Sequence, residues 1–283
     1  PNFRINFTPL KFMLSFSSKM LATNIFNHLN NNLFSIILGK FFSEKEVGYY
    51  NQANKWNYMG HSLINGMLNG ISQPVLAQVS DDKDRQLRIF RKMVQFSAFV
   101  SFPAMFGLSL IAPELISITI TNKWIPSAHI LQLLCIGGAF IHLINLYSNL
   151  IISKGKSDIY MWNTITLGII QLIIVTLIHS YGLYTMIICY LCINITWLII
   201  WHYFIYKEIT YKLSSLMYDI MPFLCTAIIS TVASYYLTNT ISNIYLLFIC
   251  KIVITCVLYI SIIWLSGSQT FKECIAYIKR NQL

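Results

Sequence analysis

IYLLFICKIVITCVLYISIIWL, residues Ile244–Leu265, decides the class of this fold. Lys251 is its single charge, and the run meets the length of about 20 mostly apolar residues that a helix needs to cross a bilayer. Working outward, similar runs precede it at Met217–Leu237, Leu183–Tyr206, Ile159–Ile178, Ala128–Ile152 and Val94–Ile120. Two more, Val47–Val79 and Leu10–Leu38, are long but less apolar. Composition agrees: 56% of the chain is hydrophobic and 11% charged, where soluble domains carry roughly 25% charged residues. The sequence predicts an all-α fold, a polytopic transmembrane helical bundle of about eight helices.

The net charge of +10 is not a nucleic-acid signature, because the basic residues form no single patch. They fall instead in short groups between the apolar runs. Fifteen of the twenty lie in one alternate set of segments: Arg4, Lys11 and Lys19, the five at Lys83–Lys92, Lys154 and Lys156, Lys207 and Lys212, and the three of the tail from Lys272 onward. With eight spans, the bias of Lys and Arg toward cytoplasmic loops puts both ends of the chain in the cytoplasm. The stretch DDKDRQLRIFR, Asp81–Arg91, reads as a solvated cytoplasmic loop. The tail 268–283 places Phe271, Ile275 and Ile278 at helical spacing beside Lys272, Lys279 and Arg280, which suits a short helix on the inner membrane surface.

Pro103 and Pro113 interrupt the third span, and each is expected to bend it by removing a backbone donor. Polar residues in lipid are costly, so their placement is informative. The first span carries Ser15, Lys19, Thr23, Asn27 and Asn31 at steps of four, and the second carries Asn57, His61, Asn65, Asn69 and Gln73. A step of four drifts about 40° per turn, so each stripe is expected to wind along one side that faces protein or water. Either a hydrated cavity or hydrogen bonding between helices satisfies it. Gly60, Gly66 and Gly70 on the second span would allow close backbone approach. Lys19 lies inside its span, where an aqueous lumen, an anionic ligand or snorkelling would relieve the charge. Lys251 has no polar surroundings in sequence and is expected to snorkel. His142, Asn145 and Asn149 form a short polar face on the fourth span.

Carboxylates are scarce near span interiors: Glu114 and Asp219 both lie close to an end, and no deep acid offers itself for a sodium or proton site. Cys189 and Cys192 form a lone C-x-x-C with apolar flanks, read as helix filler rather than a metal or redox motif. Catalytic constellations, phosphate loops, and metal or cofactor motifs are missing from the sequence, so neither an enzyme nor a cofactor is expected.

Four stretches carry a resemblance: LGKFFSEKEVGYYNQANKW (Leu38–Trp56), QPVLAQVSDDKDRQLRIFRKM (Gln73–Met93), FPAMFGLSLIAPELI with NKWIPSAHILQLL (Phe102–Leu134), and KGKSD (Lys154–Asp158). Together they resemble the polysaccharide flippases, of the O-antigen or lipopolysaccharide type, of the multidrug/oligosaccharidyl-lipid/polysaccharide exporter superfamily. The resemblance implies two six-helix lobes, with this chain as the C-terminal portion. Residues 1–206 would form the second lobe of a two-lobe transporter, 207–267 two additional transmembrane helices, and 268–283 the cytoplasmic amphipathic tail. The N-terminal lobe would be missing, which the absence of an initial methionine at Pro1 suits. It further implies flipping of an undecaprenyl-diphosphate-linked oligosaccharide across the bacterial inner membrane by alternating access. Lys19 and Lys55 would then meet the diphosphate, His61, Asn65, Asn69 and Gln73 the sugars, and Asn27 would be a further substrate-binding residue. The lipid bilayer and the missing lobe are the implied partners, and nucleic acid is not. A drug/cation antiporter of the same superfamily is the alternative. Membrane-embedded glycan polymerases and acyltransferases stand as rivals from another class.

Overall fold

The computed structural model describes residues 8–280, apart from the side chains at 8–13, 15–16, 22, 27–34 and 277–280. Ten α-helices follow in order: α1 (Thr8–Phe41), α2 (Glu44–Gln78), α3 (Lys83–Thr119), α4 (Ile125–Gly138), α5 (Ile141–Ser153), α6 (Ser157–Ile178), α7 (Leu183–Ile209), α8 (Leu213–Thr238), α9 (Ile244–Leu265) and α10 (Gln269–Arg280). With α4 and α5 counted as one broken rod, eight long segments run up and down. Six of these are apolar and long enough to cross a membrane by length and composition. The other two, α1 and α2, have the length but not the apolarity, as their polar stripes require. The chain is thus a multi-pass α-helical membrane protein.

Two sequence expectations change. The charged stretch Asp81–Arg91 is not a loop: the turn ends at Asp82, whose side chain accepts from Arg85 N (2.9 Å) and caps α3. Nine residues read as solvated connection are the first turns of a helix whose charged face is exposed. The fourth span is not continuous either. It breaks between α4 and α5 at Ala139–Phe140, beside Gly137 and Gly138. No proline forces the break. A side chain on Gly138 would meet Asn57 Oδ1 at 2.6 Å and Met105 Cε at 2.5 Å, and one on Gly137 would meet Leu191 at 2.4 Å. The glycines let this rod lie closer to its neighbours than any side chain would allow.

α3 stands at the centre, flanked by α2, α4 and α5 on one side and α8 and α9 on the other. Its prolines would each orphan a carbonyl one turn back, and both carbonyls are met by neighbouring side chains. Tyr259 of α9 donates to Phe99 O at 2.8 Å, opposite Pro103. Gln132 of α4 donates to Ser109 O at 3.3 Å, opposite Pro113. The bends are thus held by neighbours, as lipid-embedded backbone demands.

The connections sort onto two sides. On the basic side, Lys154 donates to Ser80 O, Lys156 pairs with Glu208, and Lys92 pairs with Glu273 of α10 at 2.8 Å. These contacts tie four segments of the charge-rich set to one another. Burial lowers the pKa of Lys154 below the ordinary lysine value. On the opposite side, Tyr49 reaches Lys123 O (3.4 Å) and meets Trp124 edge-on, while Phe41 stacks on His179. The alternation read from the lysines and arginines is the alternation of the fold.

Candidate functional site

The second helix carries most of the residues expected to line a site, and its geometry is helical arithmetic. Between Asn57 and Gln73 the step-of-four stripe makes four drifts of about 40°, roughly 160° in all. It therefore does not keep to one side. Asn57 is buried against Gly138; His61 and Asn65 are half-buried; Asn69 and Gln73 are exposed. The stripe begins in the bundle and ends on its outer surface.

Inside, it serves helix contact. Asn149 of α5 donates from Nδ2 to Asn69 Oδ1 at 3.2 Å and to Ser72 Oγ at 2.7 Å. The Asn65 amide meets the His61 ring along the same helix at 2.9 Å. Of the three residues expected on the fourth span's polar face, Asn149 joins this contact. His142 turns back to Ala139 O (2.8 Å) at the helix break.

Outside, a second alignment appears that sequence reading passed over. Lys55 and Gln73 are eighteen residues apart, which is five full turns, so they share one face. Ser62, Gly66 and Asn69 fall within about 40° of the same line. Lys55, Asn69 and Gln73 are exposed, and a side chain added at Gly66 or Gly70 would meet nothing within 4 Å. Gly60 alone among the three glycines permits close approach: a Cβ added there would meet Leu108 at 2.7 Å. About a quarter-turn or more round the helix, Leu63, Met67 and Ile71 make an exposed apolar strip. The free face of α2 is thus half polar with one cation and half apolar.

The first helix contributes less. Lys19 is half-buried, and Thr23 donates to its carbonyl at 2.7 Å. By rise per residue Lys19 lies roughly 33 Å from the end of α1, while Lys55 lies roughly 17 Å from the start of α2. The two cations expected to act together therefore stand at different depths. The side chain of Asn27 lies outside the described residues. No group of three metal-ligating side chains occurs among the described residues.

Two ion pairs complete the polar inventory. Asp219 of α8, completely buried, accepts from Arg91 Nε (2.8 Å) and Nη2 (2.7 Å), Gln95 Nε2 (2.7 Å) and Tyr211 OH (2.8 Å). Lys251 of α9 does not snorkel. It pairs with Glu114 of α3 at 2.7 Å, both side chains only 8% exposed. Its apparent isolation was a property of its own helix: the partner lies 137 residues away in sequence.

The fold and this outward polar face define a polytopic helical membrane protein with one long helix turned polar side outward. Residues 1–129 match the family model described as "Polysaccharide biosynthesis protein". The chain is 26% identical over 235 residues to the teichuronic acid biosynthesis protein TuaB of Bacillus subtilis, covering 82% of this chain and 49% of that protein. It is 27% identical over 146 residues to the lipopolysaccharide biosynthesis protein WzxC of Escherichia coli, covering 52% of this chain and 30% of that protein. In fold it is similar to a lipid II flippase, MurJ, in an inward closed conformation. The TM-score is 0.67 and the identity 16%, with 97% of this chain and 57% of that one covered. The chain is thus similar in sequence to polysaccharide biosynthesis proteins and in fold to a lipid flippase. It spans about half the length of the teichuronic acid relative and of the flippase it resembles.

Proposed function

We propose that this chain is one lobe of a transporter that turns an undecaprenyl-diphosphate-linked oligosaccharide from the inner to the outer leaflet, for polysaccharide or lipopolysaccharide biosynthesis. The free face of α2 carries this reading. A lipid-facing helix gains nothing from Lys55, Gln73 and two glycines in open space, since polar groups in hydrocarbon are costly. A wall of an aqueous cavity gains from all of them. The neighbouring apolar strip suits the isoprenoid part of such a substrate, the cation suits its diphosphate, and the amides suit sugar hydroxyls. A second lobe facing α1 and α2 would supply the opposite wall, and the half-length coverage of the relatives agrees with one.

In this reading residues 1–206 form the lobe, 207–267 add α8 and α9, and 268–283 lie on the cytoplasmic surface. The membrane is the bacterial inner membrane, and both ends of the chain face the cytoplasm, where Lys and Arg concentrate. Lys55 is the first-choice substrate contact, with Asn69 and Gln73 beside it. Lys19, Asn27, His61 and Asn65 belong to the same site at other depths. Transport, rather than bond-making chemistry, is the activity.

Lys55→Gln in the full-length protein tests the reading. Its exposed side chain has no role in packing, so expression and thermal stability should match wild type while glycan export falls at least about tenfold, the loss of one charge-assisted contact of about 1.5–3 kcal/mol. Export unchanged at equal expression would remove Lys55 from the site.

A further inference from the structure

Glu114 and Lys251 sit where a purely structural ion pair is hard to account for. Their contact is short, 2.7 Å, and Lys251 Nζ also donates to Leu110 O at 3.3 Å. The pairing is nevertheless incomplete: Glu114 Oε2 is buried and has no hydrogen-bond partner. Thr255, one turn along α9 from Lys251, likewise holds a buried hydroxyl without a partner. Desolvating two charges is repaid only when their remaining lone pairs and protons are also satisfied, and an apolar pair of similar volume is often at least as stable. Here one carboxylate oxygen is left over.

We propose that Glu114 is a proton-binding site, and that protonation at Oε2 releases Lys251 and with it the hold of α9 on the bent end of α3. The balance is simple. One proton adds to Oε2, and the carboxylate becomes a neutral acid. Lys251 keeps its proton, loses its counter-ion and becomes an unpaired buried charge. Lys251 lies seven positions on from the start of α9 at Ile244, so its long side chain has an exit toward that end. The rest of α9 stays attached, because Tyr259 still holds Phe99 O beside Pro103. Release therefore loosens one end of α9 beside Pro113 and leaves the other clamped, which is a hinge.

The surroundings favour a proton over a metal cation. The ammonium already fills the place between Leu110 O and Glu114 that a cation would take. Lys251 is the one ionisable group within ion-pair reach of Glu114 among the described residues. On α8 the buried groups toward α9 are the neutral Ser230 and Ser234, the latter donating to Lys251 O at 3.2 Å. On α4 the nearest titratable side chain along the helix, His129, is exposed.

The proposal deepens the transporter reading by naming what drives or gates the lobe, but its test does not need transport. The full-length protein is reconstituted in phospholipid vesicles, and its infrared difference spectrum is followed as the medium is acidified. A carboxylic-acid carbonyl band should grow in wild type, be lost in Glu114→Gln, and persist in Asp219→Asn. A spectrum identical in wild type and Glu114→Gln, or a band that shifts with sodium at constant pH, would overturn the assignment. The neutral double variant Glu114→Gln/Lys251→Met covers the case in which the single variant fails to fold. It should keep its thermal midpoint yet lose the acid-dependent protection of α9 amides from exchange; retention of that dependence would overturn the proposal. If the band and its loss are found but wild type exports no glycan, the proton site stands and the flippase reading falls.

Discussion

At the scale of single residues, buried polar groups decide most. Asp219 takes four hydrogen bonds from three side chains, so its charge is well met. Asp219→Ala would leave Arg91 without its counter-ion and Gln95 and Tyr211 without an acceptor. Arg91 is 38% exposed and can recover water, so the cost should be about 2–3 kcal/mol rather than that of a sealed pair. Asp219→Asn keeps an acceptor and should cost less. Thermal unfolding of the purified full-length protein in detergent would rank them wild type, Asn, Ala; equal midpoints would show that the cluster adds nothing. The glycines divide in the same way. Gly138→Ala drives a methyl into Asn57 and Met105 and should destabilise by about 1–3 kcal/mol. Gly66→Ala meets open space on a helix and should be neutral or stabilising by up to about 1 kcal/mol. The same unfolding measurement separates the two.

At the scale of elements, the bent helix α3 shows how a local rule becomes a tertiary one. Pro103 frees Phe99 O, and Tyr259 satisfies it. Tyr259→Phe keeps the ring and leaves that carbonyl unpaired in an apolar setting, at a cost of about 1–2 kcal/mol. Pro103→Ala restores the helical donor, so in that background the same change should cost much less. A double-mutant cycle on unfolding midpoints checks this, and additive effects would show that Tyr259 does not serve the proline. The prolines, spans and charge alternation were legible in the sequence because each is a local or periodic property. The drift of the α2 stripe was legible too, since a step of four over sixteen residues must carry Gln73 most of a half-turn from Asn57. The face shared by Lys55 and Gln73 was available from the same arithmetic. What sequence could not show was partnership across the bundle. Nothing near Lys251 names Glu114, and nothing near Asp219 names Arg91. The α4–α5 break was hidden for another reason. Two glycines in an apolar run read as packing residues, and only the crowding from Met105, Asn57 and Leu191 shows why the rod is interrupted there.

At the scale of the whole molecule, topology follows from which turns touch. Ser80 with Lys154, Lys156 with Glu208, and Lys92 with Glu273 bind the turns of the charge-rich set together. The connection after Thr238 belongs to the opposite side, because α8 and α9 are antiparallel neighbours and α9 ends beside the α10 contact with Lys92. The two faces therefore differ in basic charge, which is the difference that sets the orientation of multi-pass proteins. The expected orientation puts Asp81 in the cytoplasm and Thr240 outside, and both residues are exposed. In a full-length variant freed of cysteine, the seven of this chain included, a single cysteine at each position reports its side. A membrane-impermeant thiol reagent added to intact spheroplasts should modify Thr240→Cys and leave Asp81→Cys untouched until the cells are opened. The reverse pattern would turn the bundle over, put Glu114 and Lys251 near the cytoplasm, and make the proton enter their site from the inner side instead.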